Sequence, residues 1–270
     1  MPRITPPAFV AAILVAIGVY AASLEAQDRA EQPGIRELEA NLSDDRVYFN
    51  ARVESDIDDD LLELGRLVAM GGSQSGGSDM ACITCHGAQG RGDGSGAFPR
   101  LTGQSGWYMY KQLVDYASGD RPNDVMGSIA KRLTEREMEA VAAYYSAIDA
   151  PYREAPGRVD ASTLQWGGQL GAVGSAEKGI PACVNCHGPS GTGNPPSVPY
   201  LAGQYAGYMS HQLRLWKRGV RDNDALNVMS SIASKMTEDD MRAVSEYYAR
   251  VRPPEPGASR SGTEAANRSE

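Results

Sequence analysis

Every cysteine of the chain lies in one of two similar pentapeptides. The first is Cys82-Ile83-Thr84-Cys85-His86, and the second is Cys183-Val184-Asn185-Cys186-His187. In each, two thiols three positions apart can bond the two vinyl groups of one porphyrin, and the following histidine can bind the iron. The pattern predicts two covalently bound haem c groups, attached through Cys82, Cys85, Cys183 and Cys186, with His86 and His187 as axial ligands.

Other uses of a C-x-x-C pair account for less of the pattern. A thioredoxin-like redox motif needs a βαβ pattern around it, and neither flank has one. A zinc site built from all four thiolates would use the cysteines but would leave both histidines unexplained. Two structural disulfides meet the same objection. Haem attachment is the interpretation that explains the cysteines and histidines together.

The sixth iron ligand decides between chemistry and electron transfer, because a five-coordinate haem binds small molecules whereas a six-coordinate haem passes electrons. The chain has three histidines, and the third, His211, stands opposite Lys111 in the other half. Its simplest interpretation is a surface side chain. Methionine remains, since a thioether binds haem iron and raises its potential.

The methionines occur in pairs at matching positions of the two halves. Met109 and Met209 lie inside predicted helices beside a tyrosine, and Met138 and Met241 lie on the apolar side of the last helices, where methionine is a flexible filler. Met126 and Met229 instead fall between helices, in a stretch that we expect to be non-helical and able to bend over a haem. We predict Met126 and Met229 as the sixth ligands.

The two halves match well beyond the haem motifs, so the chain is a duplicated domain. A shared Gly-Gln pair occurs at 103–104 and 203–204, and a shared Arg-x-Asn-Asp segment occurs at 121–124 and 221–224. Arg121 and Arg221 are either partners of the haem propionates, which a guanidinium can hold bidentately, or solvated surface residues. Further matching pairs are Tyr108 and Tyr208, Gln112 and Gln212, and Gly119 and Gly219.

Helical patterns dominate both halves. We predict helices over 61–68 and 106–118, the second ending at Gly119. The last helix of each half begins with a capping box, formed by Thr134 with Glu137 and by Thr237 with Asp240. Residues 168–182 are expected to be a glycine-bearing approach to the second haem motif. The predicted fold is all-α, with two tandem cytochrome c domains at 61–150 and 161–251, joined by a linker at 151–160.

The chain ends have a different composition. Residues 1–26 contain an apolar stretch, 8–22, after a short positive segment, which indicates either a cleaved signal peptide or an uncleaved membrane anchor. Residues 27–60 form an acidic, flexible arm that serves as a spacer or a docking element, and 252–270 are expected to be disordered. We therefore expect a periplasmic protein, soluble after signal cleavage or tethered by its amino-terminal segment.

The formal net charge is −8, and residues 27–60 hold eleven acidic against four basic residues. An acidic chain is a poor partner for nucleic acid, so we expect redox proteins with a basic docking face instead. These include a quinol-oxidising complex, a dehydrogenase and a terminal oxidase.

Taken together, the haem pentapeptides, the Pro-x-Leu-x-Gly-Gln segments, the Arg-x-Asn-Asp segments and the late methionines resemble the cytochrome c4 family of di-haem class I c-type cytochromes. The resemblance covers residues 61–251. It implies two small all-α domains related by pseudo-twofold symmetry, each with a His/Met-ligated haem, in an exported electron carrier. It also implies that the carbonyls of Pro99 and Pro199 hold the rings of His86 and His187. The acidic arm and the longer glycine-rich approaches to the haem motifs depart from the simplest members.

We therefore expect an electron carrier rather than an enzyme, with two haems linking a respiratory or periplasmic donor to a terminal acceptor. The alternative is the cytochrome subunit of a flavocytochrome or quinoprotein dehydrogenase complex. A di-haem peroxidase is a third possibility, but it needs an iron with a vacant position, and the paired methionines argue against that.

Overall fold

The computed structural model describes residues 59–72, 81–148, 150–155, 157–194 and 197–253. The predicted signal or anchor, nearly all of the acidic arm and the tail from residue 254 lie outside these ranges. Within them, no helix is long and apolar enough to span a bilayer.

Within the described ranges, each half contains five α-helices in the same order. In the first half they are α1 (Asp59–Gly71), α2 (Ile83–His86), α3 (Gly106–Ser118), α4 (Asp124–Ala130) and α5 (Glu135–Ala147). In the second they are α6 (Ala161–Ala172), α7 (Val184–His187), α8 (Ala206–Lys217), α9 (Val228–Ser234) and α10 (Glu238–Arg250). Short 3-10 turns occur at Pro189–Gly191 and Ala225–Asn227. Among the described residues β-pairing is limited to two isolated bridges, so the predicted all-α class is confirmed.

Several predicted helix ends are confirmed. The helix α3 has the predicted bounds and ends at Gly119, whose φ of 95° is left-handed and suits glycine. Both capping boxes are present, at the start of α5 and of α10. The helix α1 is longer than predicted and begins at Asp59.

Two predictions about local structure were wrong. Met126 and Met229 do not lie in non-helical segments, because α4 and α9 contain them. The helix α4 is nucleated by Asn123, whose side chain accepts a hydrogen bond from the Met126 amide at 2.8 Å. The glycine-bearing approach expected at 168–182 is also partly helical, since α6 continues to Ala172.

Close helix crossings explain the glycines inside α1 and α6. The helix α1 packs against α5, and α6 packs against α10 in the same way. A Cβ atom placed on Gly65 would lie 2.1 Å from the Ala140 carbonyl oxygen, and one on Gly167 would lie 2.1 Å from the Ala243 carbonyl oxygen. The backbones therefore meet at a distance that only glycine permits, although glycine disfavours a helix in isolation.

Each half has its own apolar core around these crossings. Tyr145 of α5 and Tyr248 of α10 are 2% and 1% exposed. The first core includes Val68 and Met109, and the second includes Leu170 and Met209. Because α3 packs on α5 and α8 on α10, each domain encloses its haem motif with the same three long helices.

Replacing Gly65 by alanine is expected to destabilise the first domain by about 3 kcal/mol, because the added methyl group would force α1 away from α5. The measurement is denaturant unfolding of the holoprotein. Gly71→Ala in the same helix is the matched control, since a Cβ there meets no atom within 4 Å. The close-crossing explanation fails if both variants unfold at the same denaturant concentration.

Candidate functional site

Each predicted haem motif forms a single helical turn. In the first, the His86 amide donates to the Cys82 carbonyl at 2.8 Å, and in the second the His187 amide donates to the Cys183 carbonyl at 2.8 Å. One turn places residues three apart on the same side of a helix. Cys82 and Cys85 therefore share one side of α2, as Cys183 and Cys186 share one side of α7.

The two histidine rings are held in the same orientation. Nδ1 of His86 donates to the Pro99 carbonyl oxygen at 2.9 Å, and Nδ1 of His187 donates to that of Pro199 at 2.8 Å. Both side chains are buried, and burial lowers the pKa of each ring despite the hydrogen bond to the proline carbonyl. Each ring is thus a neutral imidazole with its proton on Nδ1, which leaves the Nε2 lone pair available for a metal.

A tight loop returns the chain from each histidine to its proline. Gly92 donates its amide to the His86 carbonyl at 2.7 Å, and Gly193 does the same for His187 at 2.7 Å. Gly90 has a φ of 63°, and a Cβ on it would lie 2.6 Å from the ring of Tyr145. The glycines after each haem motif are therefore loop residues, and they permit the core tyrosine to pack against the loop.

The four cysteine sulfur atoms are not joined to one another in disulfides. All four cysteines are free thiols, which is not the arrangement of two structural disulfides. No three of the His, Cys, Asp and Glu side chains in the described ranges form a metal-binding group, so the interpretation as one four-thiolate zinc site was wrong. Burial raises the pKa of Cys82 and of Cys183 to about 11.

The two predicted sixth ligands lie on the short helices α4 and α9, which pack on α3 and α8. Met126 and Met229 are both half-buried. The Met229 amide donates to a carboxylate oxygen of Asp224 at 2.6 Å. The main chain at Met126 is therefore held by the side chain of Asn123, and the main chain at Met229 is held by the side chain of Asp224. His211 is exposed, as predicted for a surface side chain.

A reciprocal set of polar contacts joins the two domains. Arg121 donates to the Tyr208 hydroxyl at 2.8 Å and to the Gln212 side-chain oxygen at 2.8 Å. Arg221 makes the matching contacts to Tyr108 at 3.2 Å and Gln112 at 3.1 Å. Such exchange of equivalent partners is the mark of a twofold interface.

Arg121 and Arg221 are buried, so their interpretation as solvated surface residues was wrong. Each guanidinium stacks on an aromatic ring of its own domain, Arg121 on Tyr116 at 4.6 Å and Arg221 on Trp216 at 3.9 Å. In the part of the chain that the structure describes, neither has a carboxylate within salt-bridge distance. Two buried cations with neutral partners would be stabilised by a negatively charged group at this interface.

The residues present fit a haem group with its propionates. The hydroxyls of Tyr145 and Tyr248 and the indole N–H of Trp216 are buried and, among described residues, have no hydrogen-bond partner. Two thiols, one histidine with a free ring nitrogen and a buried guanidinium are available in each half. This donor set matches the vinyl groups, the iron and the carboxylates of one porphyrin per domain.

Comparison with known proteins agrees with this geometry. The family model described as cytochrome c matches residues 77–147 and 178–251. The chain belongs to the cytochrome c family.

The similarity extends to di-haem proteins. The chain is 46% identical over 178 residues to a thiosulfate dehydrogenase electron acceptor from Stutzerimonas stutzeri (strain A1501), covering 66% of this chain and 82% of that protein. It is similar to the crystal structure of reduced cytochrome c4 from Pseudomonas stutzeri, with a TM-score of 0.61, 30% identity and coverage of 71% and 98%. The predicted resemblance to the cytochrome c4 family is confirmed.

A third similar structure is thiosulfate dehydrogenase (TsdBA) from Marichromatium purpuratum, with a TM-score of 0.65 and 36% identity. The match covers 71% of this chain but spans only 40% of that longer chain.

These findings confirm the fold as two tandem class I cytochrome c domains related by pseudo-twofold symmetry. They also confirm two covalently bound haem c groups and a role in electron transfer with redox protein partners. The relatives are named as cytochromes and electron acceptors, so the protein is an electron carrier rather than an enzyme. They do not favour a subunit of a flavocytochrome or quinoprotein dehydrogenase complex.

The sequence analysis assigned no role to the glutamines and tyrosines of the interface. The pairs Gln104 and Gln204, Tyr108 and Tyr208, and Gln112 and Gln212 were visible only as positions shared by both halves. The identity of these residues in both halves was the sequence feature that could have indicated the interface, because equivalent residues of a twofold interface make the same contact from each side.

We expect Arg121→Met to lower the free energy of unfolding of the holoprotein by about 3 kcal/mol, since its loss removes three hydrogen bonds, to Gln112, Tyr208 and Gln212, from a buried interface. Chemical denaturation followed by haem absorbance measures this change. Arg218→Met on the exposed end of α8 is the control and should change stability by less than about 0.5 kcal/mol. Equal free energies of unfolding for the two variants would show that the buried Arg121 does not contribute to stability.

Proposed function

We propose that this protein accepts electrons from a thiosulfate dehydrogenase and passes them to a further redox protein. The observation that carries the proposal is the 46% identity to a protein named as a thiosulfate dehydrogenase electron acceptor, over both cytochrome domains. A second relative of that name, from Thiomonas intermedia, is 40% identical over 169 residues. The likeness to the thiosulfate dehydrogenase structure from Marichromatium purpuratum supports the same partner.

We assign the residues that hold each haem from the donor set described above. Cys82 and Cys85 attach the first haem, with His86 and Met126 as iron ligands. The second haem has Cys183 and Cys186 as attachment points, with His187 and Met229 as ligands. When bound, each haem supplies an iron that cycles between ferric and ferrous states.

The chain's own residues prepare this chemistry in three ways. The Pro99 and Pro199 carbonyls orient the histidine rings, so the metal-facing nitrogen needs no rearrangement. Arg121 and Arg221, buried at the interface between the domains, would hold propionate groups and compensate their charge. The buried tyrosines of α5 and α10 exclude water from the haem motifs, which keeps solvent reorganisation small.

The proposal also includes location and domain organisation. An export signal or anchor within residues 1–26 would deliver the domains at 61–150 and 161–251 to the periplasm, where haem attachment takes place. The acidic arm at 27–60 would serve there as a spacer or as a docking element for a basic partner.

Replacing a sixth ligand is expected to open its iron to carbon monoxide. Met126→Leu and Met229→Leu keep the side-chain volume but remove the thioether, so each variant should bind one carbon monoxide per protein where the unaltered protein binds none. The spectrum of the reduced protein with and without carbon monoxide measures this, and the spectrum of the oxidised protein should show the loss of one methionine-to-iron charge-transfer band.

The matched controls are Met109→Leu and Met209→Leu, in the apolar cores of the two domains. They should remain closed to carbon monoxide. Carbon monoxide binding by these controls and not by the Met126 and Met229 variants would move the ligand assignment to the core methionines.

The donor is tested by mixing oxidised holoprotein with a purified thiosulfate dehydrogenase and thiosulfate. We expect both haems to become reduced, as followed by the growth of the ferrous absorption bands. The same mixture without thiosulfate is the control. If the haems stay oxidised with the complete mixture but are reduced by dithionite, thiosulfate dehydrogenase is not the donor.

A further inference from the structure

A glutamine side chain of each domain forms hydrogen bonds with the main chain next to the proline that orients the other domain's histidine. The side-chain oxygen of Gln204 accepts a hydrogen bond from the Arg100 amide at 2.9 Å, and its nitrogen donates to the Arg100 carbonyl at 2.9 Å. Gln104 makes the same pair of contacts with Tyr200, at 3.0 and 3.1 Å. A glutamine in one domain therefore pairs with the main chain of the other, much as a neighbouring strand would.

The amide that hydrogen-bonds to the glutamine belongs to the same peptide group as the carbonyl that accepts from the histidine. The Arg100 N–H and the Pro99 carbonyl are the two ends of one peptide group, and that carbonyl accepts from Nδ1 of His86. The Tyr200 N–H and the Pro199 carbonyl form the equivalent group for His187. A continuous chain of hydrogen bonds thus runs from the glutamine oxygen of one domain, through a single peptide, to the histidine ring of the other.

Hydrogen bonds in such a chain polarise one another. When the amide N–H donates to the glutamine oxygen, the carbonyl at the other end of the peptide becomes more negative. That carbonyl then draws the Nδ1 proton more strongly, and the ring becomes a better electron donor to a bound metal. More donation favours the ferric state and lowers the reduction potential.

The surroundings of these contacts favour a strong effect. Gln204 is 7% exposed and Arg100 is 8% exposed, so water does not compete for the bond. The Arg100 side chain donates to the carbonyls of Thr102, Ala150 and Pro151, and this fixes the main chain that Gln204 holds. Gln104 is half-buried at the equivalent place.

We infer that Gln204 tunes the haem of the first domain and that Gln104 tunes the haem of the second, each acting across the interface through the peptide that orients the axial histidine. Both are positioning residues. This inference rests on the proposed assignment of His86 and His187 as iron ligands.

The test is the reduction potential of each haem in Gln204→Met and Gln104→Met. Methionine keeps the length of glutamine but removes its hydrogen bonds. In Gln204→Met the equilibrium constant for reduction of the first haem should rise by about threefold, which is about 28 mV because tenfold corresponds to 59 mV for one electron. The second haem should be unchanged. In Gln104→Met the pattern should be exchanged.

Spectroelectrochemical titration gives the two potentials, and NMR of protein with ¹⁵N-labelled histidine assigns them. The chain has three histidines, so the ring signals of His86 and His187 can be identified. The Nδ1 proton of His86 should shift in Gln204→Met, and that of His187 should shift in Gln104→Met. Gln89→Met is the control, because Gln89 is exposed although it lies three residues from His86.

Three results would overturn the inference: a shift confined to the haem of the variant's own domain, an equal shift of both haems, or no shift in either variant. An equal shift would mean that the substitution merely loosens the interface. Should one variant fail to fold, the other still tests the crossed pattern. Absence of iron-bound histidine signals from His86 and His187 in the unaltered protein would instead refute the ligand assignment of the proposed function.

Discussion

The hydrogen bond that His86 and His187 each donate to a proline carbonyl is the constraint around which each domain is built. To bring Pro99 to the ring of His86, the chain must reverse within thirteen residues, and it does so with glycines in left-handed conformations. The loop in turn needs a flat surface, which the ring of Tyr145 provides by packing directly on Gly90. The tyrosine is held by α5, and α5 by its close crossing with α1. The packing of α1, α5 and the loop is thus connected, contact by contact, to the position of one imidazole ring.

Much of this could be predicted from the sequence because the determining interactions are local. The end of α3 at Gly119 and the two capping boxes depend on residues a few positions apart, and these were predicted correctly. The repeat then supplied the domain count and the pairing of equivalent residues. The binding of haem followed from the chemistry of cysteine and histidine at a fixed spacing.

The errors came from interactions that a local pattern does not contain. The glycine-bearing approach was expected to start at residue 168, whereas α6 continues to Ala172 and crosses α10 at Gly167, close to the carbonyl of Ala243, which lies 76 positions later. Met126 and Met229 were expected in a non-helical segment between two helices, but a short helix forms at each, where the Met126 amide donates to Asn123 and the Met229 amide to Asp224. Arginine is usually a surface residue, but Arg121 and Arg221 are buried where each hydrogen-bonds to a glutamine of the other domain.

The crossed glutamine contacts have a consequence for how such a protein can change over generations. After a gene duplication, two copies of a domain are ordinarily free to diverge, each under its own selection. Here the copies are not independent, since the main chain beside each histidine is completed by the other copy. A substitution in one half changes the reduction potential of the haem in the other half, so selection on redox potential acts on the two halves together. Neither half could be lost, exchanged or recombined with a foreign domain without altering the one that remains.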